Sequence, residues 1–553
     1  MKLSGPMQFA LQRINTALLE RNDAALAASF ENVDIPTLLS DEVLESVRAR
    51  RKPALTILLA SLAVSNEINV ARATWWLDAF QSISNHALTA GMLRLPANNV
   101  FRLSVSALCT QTPLTTGILR RSNGGDQQWV DALELLVDHQ DWHSALALLT
   151  VLVPQQVQTV RWLQFGKSLT KRQRLFMDES GAAQPDVDYS ILAQLFGLIA
   201  IASRNAGAHD AVTALRYLQA KSLETAERYD EAIAVLQGIV AVDQTISALA
   251  GIARCQCKSG DLAASIATLD KAIPVHANNK EGVEASVFEA DTPEEKAKSF
   301  NVKSAQFALA DLASILNEVD QKFFLVSGTL LGFEREGKLM DHDKDVDVGI
   351  LGWENQFDIC MALQRSGKFT LAAHFLKGTN SYYIPIMHSL TGMWIDLFLY
   401  HEVDGQWVTG VDFFFGYRQT FGFTPFELKP VKFLGVDMYV PEDTDLNLTE
   451  NFGNWRVSDP SYISHLESPS TLHKGELPHM LTARVSAIQA ITNRNPHKLR
   501  KIVSVMNTYE HANGAMSAEL CALLLDLARR FDMPRDSLSA LLDAALELSL
   551  IHI

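Results

Sequence analysis

The sequence predicts a multidomain protein with an all-α repeat region, then a mixed α/β domain, then a helical extension. Apolar residues recur three and four positions apart through roughly the first 280 residues, which is helical periodicity. Strand-like apolar segments follow between about 320 and 440, and helical periodicity returns after about 467. The 553 residues suffice for about three or four folding units. We predict four segments: repeat region 1–280, linker 281–302, α/β domain 303–466 and helical extension 467–553.

Composition narrows the class of protein. Hydrophobic residues make up 48% and charged residues 20%, which is typical of a globular chain. The formal net charge of −15 argues against a general nucleic-acid binder, which needs a broad basic surface. The five cysteines are scattered and odd in number, which argues against a disulfide framework. No apolar run is long enough to span a bilayer. We therefore expect a cytoplasmic protein without a transmembrane segment, with peripheral association at an inner membrane as the alternative.

The repeat region carries one internal repeat. The triad Ala232, Leu236 and Ile239 is followed 33 positions later by the triad Ser265, Leu269 and Ala272. This offset is close to the period of roughly 34 residues of tetratricopeptide helix pairs. The region therefore resembles a tetratricopeptide-like solenoid, and stacked helix pairs of this kind form an extended concave binding surface.

Polar, Pro-containing sequence at 278–301 separates this region from the α/β domain. An amphipathic helix is predicted at 304–319. Strands are predicted at five later segments: 346–350, 382–387, 393–400, 407–415 and 431–440. Helices are then predicted at 477–492, at 496–509 and across 517–551, where Pro534 separates the last helices.

The strongest chemical signal begins at the end of a short apolar run at 322–326. Gly328 and Thr329 end that run and open a helix, where free backbone N–H groups and the helix dipole favour an anion. Further on, Asp343, Asp345 and Asp347 alternate, and residues two apart on a strand project from the same face. Crowded carboxylates repel unless a cation lies between them, and hard divalent ions prefer oxygen ligands. The pattern predicts a site where metal ions bridge carboxylates to phosphates.

These residues resemble the signature of the LicD and fukutin-related phosphotransferases over about 302–460. The matching motifs are Gly328-Thr329-Leu330-Leu331-Gly332, Arg335, Gly337, the alternating acids with Gly349, Trp394-Ile395-Asp396-Leu397-Phe398 and Asn451-Phe452-Gly453-Asn454-Trp455. Asp341-His342 and Lys344 depart from the usual pattern beside the acids. The resemblance implies an α/β nucleotidyltransferase (polymerase-β-like) fold for this domain.

The resemblance also implies roles for individual residues. It assigns Mg²⁺, with Mn²⁺ as the alternative ion, to three carboxylates: Asp345, Asp347 and Asp396. Asp343 would be a further catalytic carboxylate, either as a ligand or as the group that orients the acceptor hydroxyl. Three residues would contact the donor phosphates: Gly328, Thr329 and Arg335. For Arg335 the alternative is an ion pair with a nearby acid.

The implied activity is that of a Mg-dependent phosphotransferase of EC class 2.7. It would move choline phosphate or a polyol phosphate from a CDP-activated donor to a glycan hydroxyl, in bacterial surface polysaccharide synthesis or decoration. The helical repeats could bind capsule or surface-polymer assembly proteins, bind glycan, or only stabilise the catalytic domain. Two other functions stay open: a helical scaffold with an inactive or regulatory transferase domain, and nucleotidyl transfer to a small molecule or protein. The sequence identifies neither the alcohol, the acceptor nor the oligomeric state.

Overall fold

The computed structural model shows a helical region followed by a mixed-sheet domain and further helices. It describes residues 5–19, 25, 28–29, 35–38, 43, 98–110, 113–138, 141–152, 188–205, 207, 209–242, 245–278, 302–340, 345–372, 375–413 and 415–532. The chain forms two compact units, Met1–Arg228 and Tyr229–Ile553. This division falls inside the predicted repeat region. No helix of the described part of the chain is both long and apolar enough to cross a membrane.

The described part of the first unit is helical. Its helices are α1 Gly5–Leu19, α2 Ile35–Leu38, α3 Val100–Thr110, α4 Thr116–Leu119, α5 Asp126–Asp138, α6 Trp142–Leu152, α7 Tyr189–Asn205 and α8 His209–Thr225. One apolar core joins side chains from α3 to α8, and it contains Phe101, Leu133 and Phe196 among others. This agrees with the helical periodicity of the sequence.

The second unit begins with three helices and adds the sheet domain and the C-terminal helices. Its helices are α9 Tyr229–Val240, α10 Ile246–Lys258, α11 Leu262–Asn278, α12 Val302–Glu318, α13 Ser327–Glu336, α14 Gln356–Ser366, α15 Thr444–Phe452, α16 Ser464–Glu467, α17 Leu477–Thr492, α18 Pro496–Asn507 and α19 Ala518–Asp532. Its strands are β1 Phe324–Leu325, β2 Asp345–Leu351, β3 Phe369–Leu371, β4 Tyr383–His388, β5 Trp394–Val403, β6 Gln406–Asp412, β7 Arg418–Phe423, β8 Leu428–Phe433 and β9 Val436–Pro441.

The nine described strands form one mixed sheet in the order β3-β4-β5-β2-β1-β9-β8, with β6 paired to β5 and β7 paired to β6. The central pair β2 and β5 is parallel, as is β1 with β9, and the other pairs are antiparallel. Helices α12 and α14 cover one face, where Leu312 and Ile359 pack against Val348 and Leu397. Because side chains alternate along a strand, the acids of β2 and β5 project from the opposite face.

The sheet differs from the sequence prediction at three places, one of which is the short strand β3, which the sequence does not predict. The segment 431–440, predicted as one strand, is a hairpin of β8 and β9 that turns at Leu434 and Gly435. Both turn residues have positive φ, 51° and 82°, and a leucine in that conformation gives no sequence signal for a turn. Strand β7 was not predicted, and its Gln419 is buried and donates to the backbone carbonyl of His465.

The predicted internal repeat corresponds to helices α9 and α11. All six repeated positions are buried: Ala232, Leu236, Ile239, Ser265, Leu269 and Ala272. The small Ser265 side chain donates to the carbonyl of Ala253 at 2.8 Å, which brings α11 close to α10. The periodicity thus predicts which side chains are buried, and the tetratricopeptide-like classification stays a prediction.

The last helices of the repeat region pack with the C-terminal helices in one core. Ile266, Leu269 and Ile273 of α11 share this core with Leu481 and Ile488 of α17. An ion pair joins the same two helices, because the guanidinium of Arg484 donates to both carboxylate oxygens of Asp270 at 2.9 and 3.3 Å. Helices α9 to α11 are therefore part of the unit that holds the sheet.

This packing leads to a prediction about truncation. Deleting residues 1–228 should leave a protein that folds, because the cut falls between the two compact units. Deleting 1–275 should yield aggregated or unfolded protein, because it removes the apolar side of α11 that covers α17. Size-exclusion chromatography and thermal melting of both fragments test this. A sharp melt for the shorter fragment, equal to that of the longer one, would contradict it.

Candidate active site

The carboxylates of two neighbouring strands lie side by side. Strands β2 and β5 are parallel, and Asp347 pairs in register with Asp396. Asp345 lies two residues before Asp347, level with Trp394. Registered partners and residues two apart share one face of a sheet, so all three carboxylates project from the face opposite α12 and α14. The structure thus brings together the three acids that the resemblance assigned to the metal.

The turn between β1 and α13 holds Asp347 in place. The Gly328 N–H donates to Oδ2 of Asp347 at 2.9 Å. The backbone N–H of Asp347 donates to Oγ1 of Thr329 at 2.8 Å, and Thr329 is fully buried. The N-terminus of α13, predicted as an anion cradle, therefore contacts a carboxylate of the chain itself. Contact of Gly328 and Thr329 with donor phosphates stays a prediction.

Burial and mutual repulsion shape the charge of the site. The pKa of Asp396 is raised to about 7, chiefly by burial and then by the negative charge of Asp345, while a hydrogen bond from Tyr383 opposes the shift. The pKa of Tyr383 lies above its usual range, chiefly because of burial and then because of the Asp396 carboxylate. Burial, aided by the charge of Asp347, also raises the pKa of Tyr400. This face of the sheet therefore has a negative electrostatic potential, which favours binding of a cation over binding of an anion.

The Asp396 shift predicts a pH dependence for the metal-free protein. An aspartate that titrates near 3.8 when unfolded and near 7 when folded binds more protons in the native state between those values. Stability from this group is therefore present at low pH and lost as pH rises through that window. In EDTA, the stability advantage of Asp396→Asn over the unchanged protein should be larger at pH 8 than at pH 5, by on the order of 1 to 3 kcal/mol. Melting curves at both pH values test this, and a pH-independent difference would contradict it.

Two glycines of the site admit close packing. A Cβ on Gly349 would lie 2.5 Å from the ring of Phe324, its partner on β1. A Cβ on Gly332 would lie 2.6 Å from the carbonyl oxygen of Lys338, on the loop that leads to the acids. A larger residue at Gly349 would displace the buried ring of Phe324, and one at Gly332 would push the 338–340 backbone away from α13. These glycines therefore support the site through packing.

Arg335 lies at the other end of α13 from Gly328. Its Nη2 donates to the backbone carbonyl of Trp455, and to that of Val457 at 3.2 Å. These contacts join α13 to the segment that follows α15. They give Arg335 a structural role, and its predicted contact with donor phosphates stays a prediction. Asp343, together with residues 341–344, lies outside the described residues.

The sequence did not predict several residues that support the site. Tyr383 reaches Asp396 from β4, the strand next to β5. Ser327 begins α13 with a positive φ of 48°, and Nδ2 of Asn451 lies 3.4 Å from its hydroxyl oxygen. Asn451 belongs to a motif that the sequence had singled out, and Ser327 directly precedes another. The roles of Tyr383 and Ser327 depend on strand register and backbone conformation, which leave no pattern in the sequence.

The oxygen donors of Asp345, Asp347 and Asp396 fit the chemistry of Mg²⁺ or Mn²⁺. Among the described residues, which omit Asp343, no group of three or more His, Cys, Asp or Glu side chains is arranged to hold a metal ion as it stands. The donor chemistry therefore fits, and the complete coordination sphere stays a prediction.

Comparisons with known proteins identify the same part of the chain. Residues 320–443 match the family described as "LicD/FKTN/FKRP, nucleotidyltransferase domain". A 156-residue stretch is 30% identical to "Ribitol-5-phosphate transferase FKTN" of Homo sapiens and of Macaca fascicularis. It is 29% identical to the protein of the same name in Mus musculus. The stretch covers 28% of this chain and 34% of each relative, so the chain spans about a third of the length of these curated relatives.

Proposed function

We propose that this chain is a metal-dependent phosphotransferase, because residues 320–443 match the LicD/FKTN/FKRP nucleotidyltransferase domain, as the motifs predict. It moves a phospho-alcohol from a CDP-activated donor to a glycan hydroxyl. One observation carries the proposal: Asp347, held by the N-terminus of α13, lies in register with Asp396 on the adjoining parallel strand. The proposal includes a polymerase-β-like fold for the sheet domain and a tetratricopeptide-like fold for the repeat helices.

Ribitol phosphate is the first alcohol to test, because the curated relatives are named ribitol-5-phosphate transferases. Choline phosphate and glycerol phosphate are the alternatives from the wider family. The proposed acceptor is a glycan. The sequence resemblance further predicts that this glycan belongs to a bacterial surface polysaccharide. The relatives compared above come from mammals, and they do not test that setting.

The proposed reaction exchanges one bond to phosphorus for another. The acceptor oxygen forms a bond to the β-phosphorus of the donor, the bond from that phosphorus to the oxygen of CMP breaks, and the acceptor proton passes to a base. A bound Mg²⁺ would neutralise charge on the transferring phosphate. Asp345, Asp347 and Asp396 would hold the ion, and the Gly328 N–H fixes the orientation of Asp347. Tyr383, hydrogen-bonded to Asp396, limits the rotation of that carboxylate.

The donor and the leaving group can be identified in one assay. The full chain is incubated with Mg²⁺ and, separately, CDP-ribitol, CDP-glycerol, CDP-choline or a nucleoside triphosphate. CMP release that increases with a glycan acceptor supports phosphotransfer. Pyrophosphate release from a triphosphate would instead indicate nucleotidyl transfer. Neither product with any donor would favour a scaffold with an inactive domain. Omitting the metal is the control.

A further inference from the structure

We propose that Asn451 is a positioning residue for the carboxylate site. It holds Ser327 in the backbone conformation from which Gly328 reaches Asp347. The inference deepens the proposed function and rests on it only for the kinetic part of its test. The metal-binding part can be measured without any donor or acceptor.

The conformation of Ser327 needs support. Its φ of 48° lies in the left-handed region, which side chains other than glycine adopt at a cost. Ser327 is the first residue of α13, and the preceding Val326 offers no side-chain cap. The hydroxyl oxygen of Ser327 accepts from Nδ2 of Asn451 at 3.4 Å, across 124 positions of sequence. This contact opposes relaxation of the turn toward an ordinary backbone conformation.

Asn451 is itself held by its surroundings. The hydroxyl of Tyr462 donates to its backbone carbonyl at 2.8 Å. The hydroxyl of Ser468 lies 3.5 Å from its Oδ1, and Ser468 is fully buried beside Ser470. These contacts place the amide with Oδ1 toward Ser468 and Nδ2 toward Ser327. The Asn451 side chain therefore meets Ser327 from a fixed position.

The same segment contacts the other end of the helix. Arg335, in the last turn of α13, donates to the backbone carbonyls of Trp455 and Val457. At 1.5 Å per residue, a helix of ten residues is about 15 Å long. Residues 451–457 thus contact α13 near both of its ends. Two contacts this far apart restrict sliding and rotation of the helix relative to its neighbours.

Restraint of α13 bears directly on Asp347. Gly328 and Thr329, the two residues after Ser327, form the hydrogen bonds to the Asp347 carboxylate and backbone. If Ser327 relaxes, the Gly328 N–H no longer points at Oδ2. The carboxylate then samples more orientations. Metal binding is weaker because binding must restrict the carboxylate to one orientation again, which costs free energy. Loss of Asn451 should therefore reduce metal affinity more than it reduces stability.

The experiment compares Asn451→Ala with Asn454→Ala in the full chain. Asn454 is an exposed asparagine of the same segment and is the matched control. Mn²⁺ alone is titrated while the melting temperature is followed, and CMP release is measured against Mg²⁺ concentration. Asn451→Ala should raise the half-saturating metal concentration about three- to tenfold in both titrations, the effect of one hydrogen bond. Asn454→Ala should change it less than twofold.

Ser327 supplies an independent test through backbone conformation. Glycine adopts a positive φ without strain, so Ser327→Gly should bind Mn²⁺ nearly normally. Alanine keeps the strained Cβ but lacks the hydroxyl, so Ser327→Ala should bind more weakly than Ser327→Gly. On the Ser327→Gly background, Asn451→Ala should add less than a twofold loss. If Asn451→Ala does not fold, the comparison of Ser327→Ala with Ser327→Gly still tests whether the hydroxyl contact supports the conformation of residue 327.

Three outcomes would overturn the positioning role: equal Mn²⁺ affinity in Asn451→Ala and Asn454→Ala, equal affinity in Ser327→Ala and Ser327→Gly, or no metal-dependent shift in the unchanged protein. Failure of the proposed function is a different result. If no donor releases CMP while Mn²⁺ affinity still depends on Asn451, the phosphotransferase proposal is wrong and the positioning role stands.

Discussion

Asp347→Asn should reduce donor turnover by at least about a hundredfold while the protein stays folded. The amide oxygen can still accept from the Gly328 N–H, which in the unchanged protein lies 2.9 Å from Oδ2. The substitution therefore removes charge and leaves the local geometry largely intact. Because the remaining carboxylates repel each other less, the metal-free melting temperature should be unchanged or slightly higher. Asp396→Asn should lower donor turnover to the same extent, and its metal-free stability should exceed that of the unchanged protein by more at pH 8 than at pH 5.

Activity and melting temperature are measured together, with and without Mg²⁺. Asp437→Asn is the control, since Asp437 lies on β9 of the same sheet and its side chain is 88% exposed. It should keep normal turnover and the normal metal-induced rise in melting temperature. Near-normal turnover in Asp347→Asn, with an unchanged metal dependence, would contradict the assignment of Asp347 as a metal ligand.

The part of the site that the sequence predicts is the part that lies on one strand. Asp345 and Asp347 share a face because side chains alternate along β2, and alternation can be read from residue order. Asp396 was placed beside them by its resemblance motif, and the register of β2 with β5 agrees with that placement. Local periodicity and a family motif together therefore locate the three acids.

The residues that hold the acids could not be read from local patterns. Tyr383 meets Asp396 only because β4 pairs antiparallel with β5 in one register. The contact between Asn451 and Ser327 joins residues 124 positions apart, and a positive φ at a serine has no sequence signature. Arg335 illustrates the same limit: its fork of donors suggests a phosphate clamp, whereas in the structure it contacts backbone carbonyls of Trp455 and Val457.

The periodicity of apolar residues predicted the bounds of helices more accurately than the polar composition of the linker predicted the boundary between folding units. The helix predicted at 477–492 has those bounds in the structure, and the predicted helix at 304–319 is found as Val302–Glu318. Of the helices predicted across 517–551, the structure describes Ala518–Asp532, and the residues after 532 lie outside the described part of the chain. The sequence separated α11 from the sheet domain because a polar segment follows it. A polar segment indicates a break in the chain and does not indicate which helices share a core.

Asp270→Ala should destabilise the second unit by about 3 kcal/mol, more than Arg484→Met does. The Arg484 side chain is fully buried, whereas that of Asp270 is 35% exposed. Removing the aspartate leaves a buried guanidinium without its carboxylate, although the carbonyls of Met480 and Ala515 still accept from it. Removing the arginine leaves a carboxylate that water can reach. The cost of Arg484→Met should therefore be about 1 kcal/mol.

The free energy of unfolding of both variants is measured by urea titration of the full chain, with helix content as the signal. The control is Asp526→Ala, because Asp526 pairs with Arg530 on the exposed side of α19 and its loss should cost less than about 1 kcal/mol. The double variant with both substitutions should be no less stable than Asp270→Ala alone, since the buried charge is then gone. A larger loss in Arg484→Met than in Asp270→Ala would show that packing of the arginine stem, and not its charge, joins α11 to α17.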